Sequence, residues 1–302
     1  MKKIIILSLL VISLLLLAAC SSEEVQTTGG AFLGGTQGVV ASFEPLSILE
    51  EGVYSIFDTE DFPLEIIITN KGEETILPGG VTLRLLGPAQ TDFQNIPNWQ
   101  LSNTEDIEKI SEFNPQGDEE VISFTPNSYA AYTNEVVGYT DITWNLDYQY
   151  DYKTHLIIEN VCFKGDPTDE KVCTIQESKV FSVSGAPIQV SAVAEDTGGK
   201  GIVLLKIDVT NAGTGESTIT GQEFDNRFDQ ISYTTDEPEK WECKSGGREN
   251  EARLIEGKAQ IICRLRAPLA EDEIYQRTVK LTFDYVYKEL IQEKLRVKES
   301  AE

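Results

Sequence analysis

The sequence predicts an all-β chain organised as two tandem β-sandwiches. Three observations carry that expectation. Short apolar runs are cut by Gly, Pro and Asn clusters at close intervals. Helical periodicity is nearly absent, whereas several runs alternate apolar and polar residues with period two. One strand-and-turn pattern occurs twice, in the same order, in the two halves of the 302-residue chain.

At the N-terminus, Lys2 and Lys3 precede an apolar run from Ile4 to Ala19, broken only by Ser8 and Ser13. A spanning helix needs about 20 apolar residues, so this shorter run reads as a signal h-region. Leu17-Ala18-Ala19-Cys20 closes it with small residues before a cysteine and resembles the lipobox of prokaryotic lipoproteins. The resemblance implies a signal peptide over 1–19, a diacylglycerol on the Cys20 sulfur, and a body held at the extracytoplasmic face of the cell membrane. Stable anchoring takes two signals, a requirement the two chains of a diacylglycerol would meet. Ser21 to Gly38, rich in Ser, Thr, Glu and Gly, reads with Cys20 as a flexible spacer over 20–38.

The rest is the composition of a folded protein, 40% hydrophobic and 9% aromatic, with length for two ordinary domains. A net charge of -25 argues against nucleic acid, whose phosphates would be repelled, and against a body lying flat on anionic lipid. With Cys20 lipidated, four cysteines remain. An even remainder in an exported chain implies disulfides, and sequence proximity suggests Cys162–Cys173 and Cys243–Cys263 among three connectivities. Neither pair has the C-x-x-C spacing of a zinc site.

The repeat joins Ile66-Ile67-Ile68-Thr69-Asn70-Lys71-Gly72 to Ile207-Asp208-Val209-Thr210-Asn211-Ala212-Gly213, and Leu146-Asp147-Tyr148-Gln149-Tyr150 to Phe283-Asp284-Tyr285-Val286-Tyr287. The first pieces are β-branched strands closed by Asn-x-Gly turns; the second alternate aromatic rings on one strand face. Further strands are expected at Val81–Leu86, Val121–Phe124, Thr140–Leu146, His155–Cys162, Ile188–Ala194, Glu251–Ile255 and Ala259–Arg264. One short helix is expected after Thr104, carrying Ile107 and Ile110. The boundary is placed in Ser182–Pro187, giving sandwiches over 39–184 and 185–302. The first holds an insertion, Gln90 to Asn114, with Trp99 inside; long irregular segments on a sandwich are often its functional surface.

A strand ending T-N-x-G and followed by an outgoing strand resembles the first hairpin of immunoglobulin-like domains in bacterial and archaeal surface proteins, the CARDB type in particular. Lipobox, Gly-rich spacer and two acidic sandwiches together resemble archaeal surface lipoproteins. The resemblance implies two immunoglobulin-like domains and a structural or adhesive role among cell-surface proteins or glycans. It brings no catalytic residues.

Candidate chemistry is sparse. The only histidine, His155, reads as a strand residue, and one histidine builds neither a multi-histidine metal site nor H-E-x-x-H. No G-x-S-x-G elbow or P-loop occurs, and the expectation is of no enzyme, no cofactor and no catalytic residue. Calcium is the runner-up ligand, through acidic loop clusters at Asp58, Glu60 and Asp61; Asp118, Glu119 and Glu120; Asp166, Asp169 and Glu170; and Asp225 and Asp229. None fits an EF-hand loop. Among aromatics, Trp144 and the strand tyrosines read as core. Trp99 and Trp241 lie in polar stretches and are the candidates for exposed partner contacts, glycan included.

Overall fold

The computed structural model describes residues 31–301 apart from 170, 176 and 177; the lipobox, Cys20 and the stretch 21–30 lie outside the described residues. The fold is all-β, with twenty-one strands and one turn of 3-10 helix among the described residues. The first half contributes β1 (Val39–Phe43), β2 (Ile48–Glu50), β3 (Val53–Phe57), β4 (Asp61–Phe62), β5 (Glu65–Asn70), β6 (Val81–Gly87), β7 (Phe93–Gln94), β8 (Gln100–Ser102), β9 (Glu119–Ser123), β10 (Ala130–Tyr132), β11 (Tyr139–Lys164) and β12 (Phe181–Val183). The second half contributes β13 (Ile188–Gly199), β14 (Ile202–Asn211), β15 (Glu216–Thr218), β16 (Asp229–Thr235), β17 (Trp241–Ser245), β18 (Arg248–Glu249), β19 (Glu251–Leu254), β20 (Lys258–Leu265) and β21 (Ile274–Lys298).

The two halves meet in one sheet. Strands β11 and β21 pair antiparallel over 24 residue pairs, from Tyr139↔Lys298 to Lys164↔Ile274, with a bulge between Ile158 and Val161. They form the centre of a ten-stranded sheet ordered β19-β16-β21-β11-β6-β8, with β12, β15, β2 and β3 attached beside this path. Each half also has a sheet of its own, β1-β5-β9 in the first and β13-β14-β20-β17-β18 in the second, while β4-β10-β7 forms a third small sheet. Two strands expected separately, Thr140–Leu146 and His155–Cys162, are thus parts of β11, which runs unbroken through the tyrosines. Their alternation explains the continuity: Trp144, Leu146, Tyr148, Tyr150, Tyr152, Leu156 and Ile158 all face the core. In β21 the same period places Val279, Leu281, Phe283, Tyr285, Tyr287, Leu295 and Val297 inside. One buried cluster runs through both halves. Each fully buried large apolar side chain contributes about 1.5–3 kcal/mol.

The repeated motifs turn out to be two parts of one device. In the first half, Asn70 Oδ1 accepts from the Gly72 amide (3.2 Å) and from the Tyr152 hydroxyl (3.2 Å), while its Nδ2 donates to the Glu74 carbonyl (2.7 Å). Tyr152 Oη in turn accepts the Glu74 amide (3.2 Å). In the second half, Asn211 Oδ1 accepts from Gly213 (3.2 Å) and Tyr287 (2.9 Å), its Nδ2 donates to Gly215 (2.9 Å), and Tyr287 Oη accepts the Gly215 amide (2.9 Å). A buried phenol needs a partner, and here each turn supplies two. The geometry also corrects the alignment of the repeat. Tyr152, not Tyr150, is the counterpart of Tyr287, so the matching stretches are Tyr150-Asp151-Tyr152-Lys153 and Tyr285-Val286-Tyr287-Lys288.

Part of the segment expected to be a flexible spacer is built into the fold. Glu73, itself buried, accepts backbone N–H bonds from Leu33 (2.9 Å), Gly34 (2.9 Å) and Gly185 (2.6 Å). Its own amide donates to the Gly185 carbonyl, and the Ala186 amide to that of Gly35. The Glu73 carboxylate thus ties the entering chain to the crossing between the halves, with charge-assisted bonds. Gly72 permits this approach: a Cβ there would run into Tyr152 Oη and the carbonyl oxygens of Gln37 and Gly185.

The expected helix at Thr104 does not form. Ile107 instead bridges Ile76 in extended backbone, and Thr104 donates its amide and hydroxyl to Glu120. The insertion 90–114 is structural along much of its length. Its β8 pairs with β6, and the buried Asn103 joins the Val81 amide to the carbonyls of Leu77 and Glu105. Both disulfides pair within one half, Cys162 with Cys173 and Cys243 with Cys263, the latter directly across β17 and β20. Behind the first lies a buried ion pair: Lys179 Nζ stands 2.9 Å from Glu195, whose other oxygen accepts the Cys162 amide.

Two outcomes test these contacts. Gly72→Ala should lower stability by about 1–3 kcal/mol, as overpacking does; chemical denaturation showing a change under about 0.5 kcal/mol would remove the close approach. Glu73→Ala should expose residues 31–38 to limited proteolysis at a rate well above wild type, while the resistance of β11 and β21 is retained.

Candidate functional site

The residues singled out in the sequence do not converge on one place. Trp241 is only 2% exposed and meets Phe163 edge-on at 5.9 Å, so it is a core residue and not an exposed contact. Its polar neighbours misled: in β17, Trp241, Cys243 and Ser245 point inward while Glu242 and Lys244 pair with each other outside. Trp99 is half-buried and stacks on the buried Trp144 with ring centroids 6.0 Å apart, closing one end of the core. His155 is held at both ring nitrogens, by Glu74 (3.2 Å) and Thr282 (3.3 Å), under the ring of Phe32.

The acidic clusters serve turns. Asp58 accepts the Ser300 amide and Glu60 that of Phe57. Asp166 takes Thr168, Asp169 takes Lys171, and Asp225 takes Arg227, each two residues on. Asp229 accepts Ser217 and Asn211. Glu170 lies outside the described residues. Among the described residues no group of three His, Cys, Asp or Glu side chains is placed to hold a metal ion.

A different surface draws polar groups together: the outer face of the shared sheet. Here the register aligns Ser102, Thr82, Gln149, Lys288 and Glu216 in one row across β8, β6, β11, β21 and β15. A second row runs Gln100, Arg84, Asp147 and Leu290. Their sequence neighbours Leu83, Tyr148, Tyr150 and Tyr287 are buried, so the pleat forces these residues outward. The segment between β15 and β16 overhangs the rows, and its Phe224 ring lies 4.2 Å from Lys288 Nζ. Two depressions of about 190 and 290 Å³ share Thr82, Gln149 and Phe224 as lining and join as one groove.

Elsewhere this face is stitched to itself. Asp141 binds Arg296, Asn145 binds Gln292, and Lys153 pairs with Asp284. Along the groove, by contrast, the side chains of Arg84, Gln100, Asp147, Gln149 and Gln222 make no hydrogen bond or ion pair with the other described residues. Burial pushes the Asp147 carboxyl up from its ordinary pKa, against the opposing pull of Arg84 and Lys288. Asp151 is raised likewise by burial, reinforced by Asp284. A larger depression of about 700 Å³ at the Tyr139 end of β11 is lined by Phe57, Tyr139, Arg296 and Lys298, but both cations there are already paired, with Asp141 and Glu50.

The groove is hard to see in the sequence because the aromatic half of the β11 alternation carries the strong signal. The polar half, Asp147, Gln149 and Asp151, was its only signal. Compared with known proteins, the sequence matches no family model and no curated protein. The likeness to CARDB-type domains therefore rests on the strand-and-turn motifs alone.

The two tryptophans should separate in stability. Trp241→Ala is expected to cost about 3–5 kcal/mol as a buried aromatic truncation. Trp99→Ala should cost about half of that, since its ring is partly solvated. Equal losses in urea denaturation would contradict the exposure difference.

Proposed function

We propose that this protein is a membrane-tethered, extracytoplasmic lipoprotein with a binding role, adhesive or structural, and no catalytic one. The observation that carries the reading is the run Leu17-Ala18-Ala19-Cys20 after a basic and apolar leader. The two disulfides support it, since such bonds persist in oxidising compartments outside the cytosol. The chemistry of the body supports binding over catalysis: His155 is engaged in packing and hydrogen bonding, while the unengaged polar groups spread over a sheet face. Organisation as two diverged immunoglobulin-like repeats joined through one sheet belongs to the same reading, as does a partner among cell-surface proteins or glycans. A calcium-binding role finds less support, because the loop carboxylates already cap turns.

The test is acylation. Intact-mass analysis of the membrane fraction should show Cys20 as the N-terminal residue carrying a diacylglycerol. Cys20→Ser should abolish the modification and release the chain or leave it unprocessed. An unmodified Cys20 in the wild-type protein overturns the tether.

A further inference from the structure

The groove on the shared sheet has a chemistry that narrows its occupant. We propose that it binds a neutral glycan chain, laid across β6, β11 and β21 beneath Phe224. This deepens the binding role above and rests on it.

The argument begins with backbone. The strands that floor the groove, β6, β11 and β21, each have sheet neighbours on both sides, so strand addition by an extended peptide is confined to the rim strands β8 and β15. Recognition there falls to side chains. Gln100, Gln149 and Gln222 each present an amide that donates and accepts, and Thr82 and Thr220 add hydroxyls. Paired donors and acceptors on a flat face match the vicinal hydroxyls of sugar rings. Phe224, with the exposed Leu290 beside Asp147 on the sheet, supplies apolar surface for the C–H faces of those rings.

Charge excludes the alternatives. Arg84 and Lys288 stand among three acids, Asp147, Asp151 and Glu216, the last already paired with Lys288, on a chain whose net charge is -25. A polyanion would meet a repulsive body and no excess of cations. A calcium ion would meet two carboxylates flanked by two cations. A neutral hydroxyl donor suits both carboxylates: neither has a hydrogen-bond donor from the described residues, and Asp147, partly buried, would gain one on binding.

The origin of the groove points the same way. Lys153 and Asp284 are paired across β11 and β21, and their counterparts under the corrected repeat are Lys288 and Gln149, also directly opposite. On one side of the repeat axis an acid neutralises the lysine; on the other an amide stands in its place. Lys288 turns instead to Glu216 and to the Phe224 ring, leaving the amide of Gln149 open to solvent.

The experiment is calorimetric titration of the full chain in detergent with cellohexaose, xylohexaose, mannohexaose and maltohexaose, and with an oligouronate of the same length. At least one neutral hexasaccharide should bind. Gln149→Ala, Gln100→Ala and Phe224→Ala should each weaken it about fivefold to tenfold, as loss of a contact residue does. Arg296→Ala, at the stitched end of the same face, should leave it unchanged. Absence of binding to all four neutral probes overturns the inference. So does tighter binding of the oligouronate, or binding that the three groove variants do not alter while their melting temperatures match wild type. Acylation of Cys20 with no glycan binding would spare the tether and remove the glycan; binding with Cys20 unmodified would do the reverse.

Discussion

Tyr150 lies directly opposite Tyr287, and Tyr152 opposite Tyr285, at the middle of the paired β11 and β21. Exchanging the halves by the corrected repeat maps each of these pairs onto the other. The pairing is thus a pseudo-twofold seam, and the rest of the molecule is arranged around it. An antiparallel pair of this length cannot slip by one residue without turning every core ring to solvent. Four phenols and their neighbours therefore fix the register of both halves at once. Burial of these rings raises the pKa of every one of the four hydroxyls, so all stay neutral across ordinary pH, and Tyr152 and Tyr287 remain donors to their turns.

From that seam the Asn-x-Gly turns are held by their tyrosines, and from the first turn the entering chain is held by Glu73. Sequence-adjacent residues thus perform successive tasks: Asn70 accepts the phenol, Gly72 leaves room, and Glu73 takes the amides of Leu33, Gly34 and Gly185. In the second half the residue after Gly213 is Thr214, whose hydroxyl donates to Glu289 (3.2 Å). The turn is shared by both halves, while the clasp belongs to the half that receives the N-terminal segment. Under the tethered reading, that clasp is where a membrane anchor would meet the folded body.

The fold class was legible because alternation, turn residues and the repeat agreed with one another. The cysteine pairs were legible because each lies within one half. What could not be read was the union of the halves. Nothing in Tyr148, Tyr150 and Tyr152 tells whether the ring-bearing strand pairs within its own half or with its twin. Short strands were also hidden inside the insertion, since Gln100–Ser102 has no apolar alternation of its own and exists by pairing with β6. The same limit applied to Trp241. Its acidic and basic neighbours suggested a loop, although W-E-C-K-S carries the period-two signal that buries the ring.

The outer face of the seam differs between its two sides although the core beneath is symmetric. Inside the seam both halves need the same residues, because both sets of rings must fill one core. Outside it, packing makes no demand, and the two sides have diverged. Lys153 has an acid opposite, and His155 has Glu74 and Thr282, so the polar groups of that side are paired with one another. The other side has Gln149 opposite Lys288 and Asp147 where its counterpart is Thr282. There Lys288 pairs with Glu216 instead, and the segment carrying Phe224 overhangs the row. Arg84, Gln100 and Gln222 are exposed and left to water in the free protein, so their donors and acceptors are available to a ligand. Packing accounts for the rings inside the seam and places no demand on these outer groups, whereas on the equivalent side they are satisfied by one another.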